Sequence, residues 1–492
     1  MKISVIWGKY LESDQVSVDE NFFALGGDSI IAQRIAQELT KQFAVKIPFV
    51  KIVETGTVKE LARFIQAETE SKEEPKATLL SENQGEKTVE ASQTELPMTN
   101  IQKAYFNGRN DSFELAHYNA HYYFEVEFPY EISDIERSIA QMLERHEVLR
   151  SIFLKNGTQK ILADVPEYKV DITIAETEQE FAEKNEQMRR ELSHKNYDFS
   201  KWPLFTFEVL KRGCDDFKIL CASINLMVCD GDSLRIFLKE FTEGLNNKKL
   251  PPIHYSYHEY VNSLNDCTNE REYQEAKAYW LNKIPCFPEF PHLPMLKNLT
   301  QCKNYRISRV SETIDAETWG TFKNTVRKHA VSPSTVLCTI YARVLAKWSN
   351  QKDLLLNMTA FERKEFDQNV SGILGDFTKI LPLEVHIDGA DFWDNAMQIQ
   401  TRILNNLDHK AFDGTEIIRE LSRLRNGIGK ALMPVVFTCV LFDSDENWFE
   451  QIGKLRYAVT QTPQVFLDNQ ILEMKHELYI SWDYVEDLFN PD

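Results

Sequence analysis

The run from Glu68 to Glu95 constrains the fold of this 492-residue chain more than any other stretch. It is rich in Glu, Lys, Ser and Thr, contains Pro75 and has almost no large apolar residues. Such a segment buries too little apolar surface to offset the entropy of ordering it, so residues 69–95 read as a linker. The linker divides a small unit, residues 1–68, from a region of about four hundred residues that resumes at Leu96. One core cannot span both, and a chain this long is expected to hold two to four folding units.

The small unit reads as a helical bundle. Ile3, Ile6, Trp7 and Tyr10 mark a first helix, and Val58, Leu61, Phe64 and Ile65 mark a last one beginning near Thr57. Between them Ile31, Ile35 and Leu39 recur behind Gly26-Gly27-Asp28-Ser29, so Ser29 sits at a helix N-terminus after a tight turn. Taken alone, that serine is an ordinary N-cap. With Asp19, Asn21-Phe22-Phe23 and Leu25 around it, the segment resembles the peptidyl carrier protein of nonribosomal peptide synthetases, over about the first seventy residues. The resemblance implies that Ser29 carries a 4′-phosphopantetheine arm, installed by a phosphopantetheinyl transferase, with the acyl chain on its thiol. Carriers usually follow another domain, which leaves open whether Met1 is a natural start or the chain is a piece of a longer polypeptide.

The large region mixes both kinds of element. Strands are expected at Tyr122–Phe128, Phe205–Leu210, Lys218–Ile224, Leu354–Thr359, Val435–Leu441 and Gln464–Leu467. Helical periodicity covers Ile135–His146, Gln179–His194, Ser233–Thr242, Glu270–Lys283, Ala316–Lys328, Ser334–Trp348 and Phe392–Leu407. The order is neither a strict βαβ alternation nor all-helical, which gives an α+β class. The formal charge of −19 argues against nucleic acid and anionic membranes as partners. No apolar run approaches membrane-spanning length, and the N-terminus lacks a signal-peptide core. The eight cysteines form no Cys-x-x-Cys pair, so zinc and disulfide frameworks are not expected and a cytoplasmic setting is. His117 and His121 lie in chain that reads as extended, which does not suit a metal pair.

Several segments follow in order: Leu96-Pro-Met-Thr-Asn-Ile-Gln-Lys-Ala-Tyr-Phe-Asn-Gly-Arg109, Arg145-His-Glu-Val-Leu149, Asn225-Leu-Met-Val-Cys-Asp-Gly-Asp-Ser233, Phe287 to Pro294, Ser332 to Trp348, Gly375-Asp-Phe-Thr378 and Gln461-Thr-Pro-Gln-Val-Phe-Leu-Asp-Asn-Gln470. Together they resemble the heterocyclisation domain, a branch of the condensation-domain family. The resemblance implies two chloramphenicol-acetyltransferase-like lobes in a V, residues 96–265 and 266–492, with a tunnel between them that carriers enter from opposite faces.

The central motif separates two chemistries. Ordinary condensation domains place His-His-x-x-x-Asp-Gly there; this chain has Asn225, Leu226 and Asp230-Gly231, and Leu226 can neither take nor give a proton. Heterocyclisation domains show Asp-x-x-x-x-Asp-x-x-Ser. Asp230 and Ser233 fit, whereas Asn225 lacks the charge of the first aspartate. Asp230 follows an apolar strand and needs a cation; family analogy offers Arg343 on the helix Ser334–Trp348. Read alone, Thr438 is a strand threonine and Asp468 a strand-end aspartate starting a turn. The resemblance instead assigns cyclodehydration to Thr438 and Asp468, with Gln470 in support. Tyr105 and Arg109 belong to the first motif; read alone they are lobe packing and a surface charge, with a functional role left open, and His146 reads as a histidine closing a helix.

The resemblance therefore implies that a carrier-bound acyl donor is condensed with a Cys, Ser or Thr residue on a downstream acceptor carrier, charged by an adenylation domain. Ring closure with loss of water then gives a thiazoline or oxazoline. Two other readings stand: amide formation without ring closure, which Asn225 keeps open, and a noncatalytic carrier-docking unit.

Overall fold

The computed structural model describes residues 2–11, 16–22, 25, 27, 29–43, 45, 47–48, 51–52, 55–70, 95–110, 112–116, 118–266, 270–302, 305–364, 366–367, 369–389, 391–441 and 449–489. Most of the expected linker, 71–94, and His117 lie outside them.

The small unit contains the helices Lys2–Tyr10, Ser29–Phe43 and Val58–Glu70. The apolar positions picked out by periodicity converge: Trp7, Ile35, Leu39 and Leu61 are fully buried. Trp7 meets Phe22 edge-on, with ring centroids 5.2 Å apart. Gly27 lies on the Phe22 ring, where a Cβ would come within 2.4 Å of Cζ, so only glycine lets the chain pass this close before the helix that begins at Ser29.

Beyond the linker the described strands, numbered in chain order, make three sheets. The smallest runs β1 (Glu95–Pro97), β4 (Thr158–Ile161), β3 (Ser151–Phe153). A five-stranded sheet runs β12 (Lys454–Gln461), β2 (His121–Glu127), β7 (Lys218–Asn225), β6 (Phe205–Arg212), β5 (Asp171–Ala175). A six-stranded sheet runs β10 (Thr378–His386), β9 (Asp353–Phe361), β11 (Val435–Val440), β13 (Leu467–Met474), β14 (Glu477–Val485), β8 (Ile307–Ile314). Helices pack against these sheets, and the class is α+β.

Local chemistry explains these elements. Every residue of β7 is buried, which is why its sequence reads as a nearly unbroken apolar run rather than an alternation. Phe207 of β6 stacks on Phe237 and Phe241 of the helix Gly231–Leu245, at centroid distances of 6.1 and 5.7 Å. The helix Pro333–Ser349 starts with Pro at its first turn behind the cap Ser332, which accepts the Thr335 N–H at 3.2 Å, and stops at Asn350 in the left-handed region.

The expected strand Gln464–Leu467 is not one. Gln464 has φ +64° and belongs to the turn into β13, which runs from Leu467 to Met474. Val465, Phe466 and Leu467 are apolar because the chain dives inward there, and Phe466 packs against Phe290 and Phe489. Asp468 is thus the second residue of a strand and starts no turn. β12, from near the end of the chain, pairs antiparallel with β2 and completes the five-stranded sheet, with Thr460 opposite Tyr122 and Gln461 opposite His121.

Candidate active site

A cavity of about 130 Å³ lies where the two larger sheets approach each other. The five-stranded sheet contributes Tyr122 and Thr460, and the six-stranded sheet contributes Asn357, Thr438, Asp468 and Gln470. The strand period of two explains the second set. In the parallel pairing of β11 with β13, Val436 faces Asp468 and Thr438 faces Gln470, so both motif residues of β13 share one face with Thr438.

Asp468 is partly exposed and lines this cavity. Gln470 Nε2 donates to Asp468 Oδ2 at 2.8 Å, and Thr438 Oγ1 lies 3.5 Å from Oδ1, a long contact. Burial, reinforced by the neighbouring Asp483 carboxylate, pushes the Asp468 carboxyl up to about 7; Gln470, Arg309 and Thr438 pull it the other way. Both its protonated and ionised forms are therefore populated near neutrality.

The central motif has a different task. Asp230 caps the helix Gly231–Leu245 by accepting the Ser233 N–H at 2.7 Å, and its second oxygen accepts the Phe377 N–H at 2.9 Å. Ser233 donates to the Gly375 carbonyl at 2.8 Å. Asp230 and Ser233 thus fasten the Gly375-Asp376-Phe377 segment to the start of the helix Gly231–Leu245. The cation beside Asp230 is Arg363, not Arg343. Arg363 Nη2 lies 3.8 Å from Asp230 Oδ1, its Nη1 pairs with Asp232, and its Nη2 donates to Ser233 at 2.9 Å. Arg363 follows β9 directly and so arrives beside the helix start, whereas Arg343 points from its own helix to the ring of Phe392, at 5.6 Å. Asp376 is buried next to Asp230; desolvation and that like charge push its carboxyl up to about 8. Asn225 is fully buried at the end of β7, and its Oδ1 accepts the Met227 N–H at 2.9 Å. That is a turn-forming role an amide fills as well as a carboxylate. Leu226 lines the cavity, where it leaves no proton-transfer group.

Tyr105 lines the cavity too, beyond its expected packing role. Arg109 packs its guanidinium on Phe199, 4.1 Å from the ring centroid, and donates to the Tyr197 carbonyl. His146 caps the end of the helix Ile132–Arg145 and meets Glu240 at 2.6 Å, as a helix-closing histidine would.

Residues 92–492 match the family model "Condensation domain", and residues 2–65 match "Phosphopantetheine attachment site". The chain belongs to the condensation-domain family. It pairs this domain with a carrier unit, as nonribosomal peptide synthetases do, and the attachment-site match makes 4′-phosphopantetheine the carrier's cofactor. The condensation domain and its carrier are 30% identical to bacitracin synthase 1 of Bacillus licheniformis over 100% of this chain and 9% of that one. They are 28% identical to phenyloxazoline synthase MbtB of Mycobacterium sp., over 98% of this chain and 41% of that one. The chain thus spans well under half of either relative. Among solved structures, the EpoB cyclization-docking bidomain from Sorangium cellulosum superposes with a TM-score of 0.74 at 27% identity, covering 81% of this chain and 82% of that one.

Sequence motifs did not reveal Arg309, Asp483, Thr460, Asn357, Arg363 or Asp376 as site residues. Arg309 and Asp483 sit on β8 and β14, which carry no recognisable motif, and Thr460 sits on the strand that changes sheets. Asp376 was visible inside Gly375-Asp-Phe-Thr378, but only the fold sets it against Asp230.

Proposed function

We propose that this chain is a carrier and heterocyclisation pair of a nonribosomal peptide synthetase, with Asp468 as the proton-transfer group of ring closure. The carrier comprises residues 1–68, the linker 69–95, and the lobes divide near 265. Ser29 is the first residue of the helix Ser29–Phe43, a place that suits an attachment point for the arm. The arm supplies a thiol that holds the acyl donor as a thioester. The acceptor is a Cys, Ser or Thr residue on a downstream carrier charged by an adenylation domain, and it yields a thiazoline or oxazoline. The relatives' names, phenyloxazoline synthase and cyclization-docking bidomain, support this product class.

After the amide forms, the acceptor's side-chain thiol or hydroxyl attacks the amide carbonyl. The adduct carries one new hydroxyl, which must leave as water. The nucleophile's proton ends on the carbonyl oxygen as that hydroxyl; expelling it as water takes a second proton, and the ring nitrogen gives up its N–H as the C=N bond forms, so a single carboxyl can relay both transfers with no net change. Asp468 suits this because its desolvated carboxyl titrates to about 7 inside the cavity. Gln470 steadies the ionised form, and Thr438 stands beside the other oxygen. Leu226, in place of the usual histidine, supports ring-forming chemistry over histidine-dependent condensation.

That placement of Asp468 carries the proposal. Loading the arm on Ser29 with a phosphopantetheinyl transferase, charging it with an acyl group and adding an aminoacylated acceptor carrier tests it. A product lighter than the linear amide by one water supports ring closure; a linear amide alone refutes it. The described cysteines, none in a disulfide, suit a reducing, cytoplasmic setting; no described helix is long and apolar enough to cross a membrane.

A further inference from the structure

Three neighbouring strands place Asp468, Asp483 and Arg309 in one row. Asp468 of β13 pairs with Asp483 of β14, and Asp483 pairs with Arg309 of β8. The last two form a forked ion pair, with Arg309 Nε and Nη2 each 2.6 Å from a different Asp483 oxygen. Both side chains are almost fully buried. Arg309 does a second thing: its Nη2 donates to Gln470 Oε1 at 3.0 Å.

An amide has one accepting end and one donating end. With Oε1 taken by Arg309, Gln470 must turn its N–H groups the other way, toward Asp468 Oδ2 and Thr460 Oγ1. Thr460 in turn donates its hydroxyl to Asp483 Oδ2 at 2.6 Å and its N–H to the same oxygen at 3.0 Å. The network is directional and closed. Arg309 and Asp483 determine which way every member points, although they act on the reacting atoms only through Gln470 and Asp468.

We propose that Arg309 and Asp483 are positioning residues for ring closure: they orient the Gln470 amide onto Asp468 and hold a second negative charge one strand away from it. The proposal rests on the assignment of Asp468 made above and adds two residues to it.

Their charges act on Asp468 in opposite senses, since Asp483 favours its neutral form and Arg309 its ionised form. Tyr479, on β14, stands beside Arg309; among the described residues the phenols facing Asp468 are those of Tyr122, on β2, and Tyr341, on the helix Pro333–Ser349. Burial holds both well above their ordinary value, so neither titrates with it. Tyr457, Arg189 and Glu125 form the next layer, behind Asp483. A change in the pH dependence of ring closure therefore reports on Asp483 and Arg309.

The test uses the full chain with its arm loaded, an aminoacylated acceptor carrier, and ring and amide products measured from about pH 5.5 to 9. Asp483→Asn keeps the shape and the acceptor but loses the charge. Its alkaline limb for ring formation is expected about one pH unit lower, with amide formation unchanged. Arg309→Lys keeps the charge but lacks the planar fork that reaches Asp483 and Gln470 together. Its ring-to-amide ratio is expected to fall about tenfold with the limb in place. If Asp483→Asn does not fold, the Arg309→Lys ratio decides alone. A wild-type ratio and an unshifted limb in these variants, or amide and ring falling in proportion, overturns the proposal. Asp468→Asn run beside them separates the two claims. Equal loss of amide and ring there sinks the assignment of Asp468 itself, whereas ring-selective loss there with both relay variants unaffected sinks only the relay.

Discussion

Asp468→Asn tests the chemistry most directly, because asparagine keeps the shape and the Gln470 contact but carries no proton to exchange. General acid–base assistance is worth about a hundred- to ten-thousandfold, which is about 3–5 kcal/mol on the barrier to ring closure. Amide formation, which needs no carboxyl at this position, should stay near the wild-type rate. The same substitution has a signature in stability. The folded Asp468 carboxyl titrates to about 7 against an ordinary 3.8. A carboxyl raised in the folded state contributes its stability in full below its unfolded value and loses it as pH climbs through the folded one. Wild type therefore weakens between about pH 4 and 7 relative to the variant, by at most about 4 kcal/mol once the group is ionised. Cavity water solvating the partly exposed residue trims that ceiling. Quenched reactions resolved by mass should show linear amide accumulating at the expense of ring. Denaturation of the large unit should give matched midpoints near pH 4 and a more stable variant at pH 8. Parallel loss of amide and ring, or a variant less stable than wild type at pH 8, would refute the reasoning.

Ser29→Ala should gain no mass on treatment with a phosphopantetheinyl transferase while costing the carrier less than about 1 kcal/mol, because Ser29 is the first residue of its helix rather than the cap before it; intact mass and circular dichroism check both. Arg363→Met strands the Asp230 and Asp232 carboxylates beside Asp376 and should destabilise the large unit by about 3–5 kcal/mol. Arg343→Met gives up only a contact with Phe392 and should cost less than about 1 kcal/mol; denaturant midpoints compare the two. In Gly231→Ala the new Cβ would lie 2.8 Å from Phe361 Cζ and 3.0 Å from Tyr122 Oη, both on the cavity wall. Amide and ring formation should fall together there, in contrast to Asp468→Asn.

Much of this molecule is legible in local pattern. The helix Glu270–Lys283 has the bounds its periodicity predicts, and Thr438 lies in the strand its apolar neighbours mark. The motif residues Asp468, Gln470 and Thr438 do converge, because the strand period of two, once β11 and β13 pair, puts them on one face. Pattern failed where burial and pairing compete. Val465 to Leu467 looked like a strand because a chain entering a core is as apolar as a strand inside one. Polar cavity-facing residues hid the true strand that follows.

Helix periods, the glycine turn before Ser29 and the run of motifs are short-range facts, determined by covalent neighbours and written into the order of residues. Which cation meets Asp230, and which reaches the row beside Asp468, depends on pairings between segments more than a hundred residues apart, whereas Asp483 comes to Asp468 across the β13–β14 hairpin. Arg309 and Asp483 become neighbours only when β8 adds to β14, and Thr460 joins them only when β12 changes sheets. No local propensity encodes those meetings, since they follow from the lowest-energy burial of the entire domain, and that burial also lifts the titration of one carboxyl to neutrality.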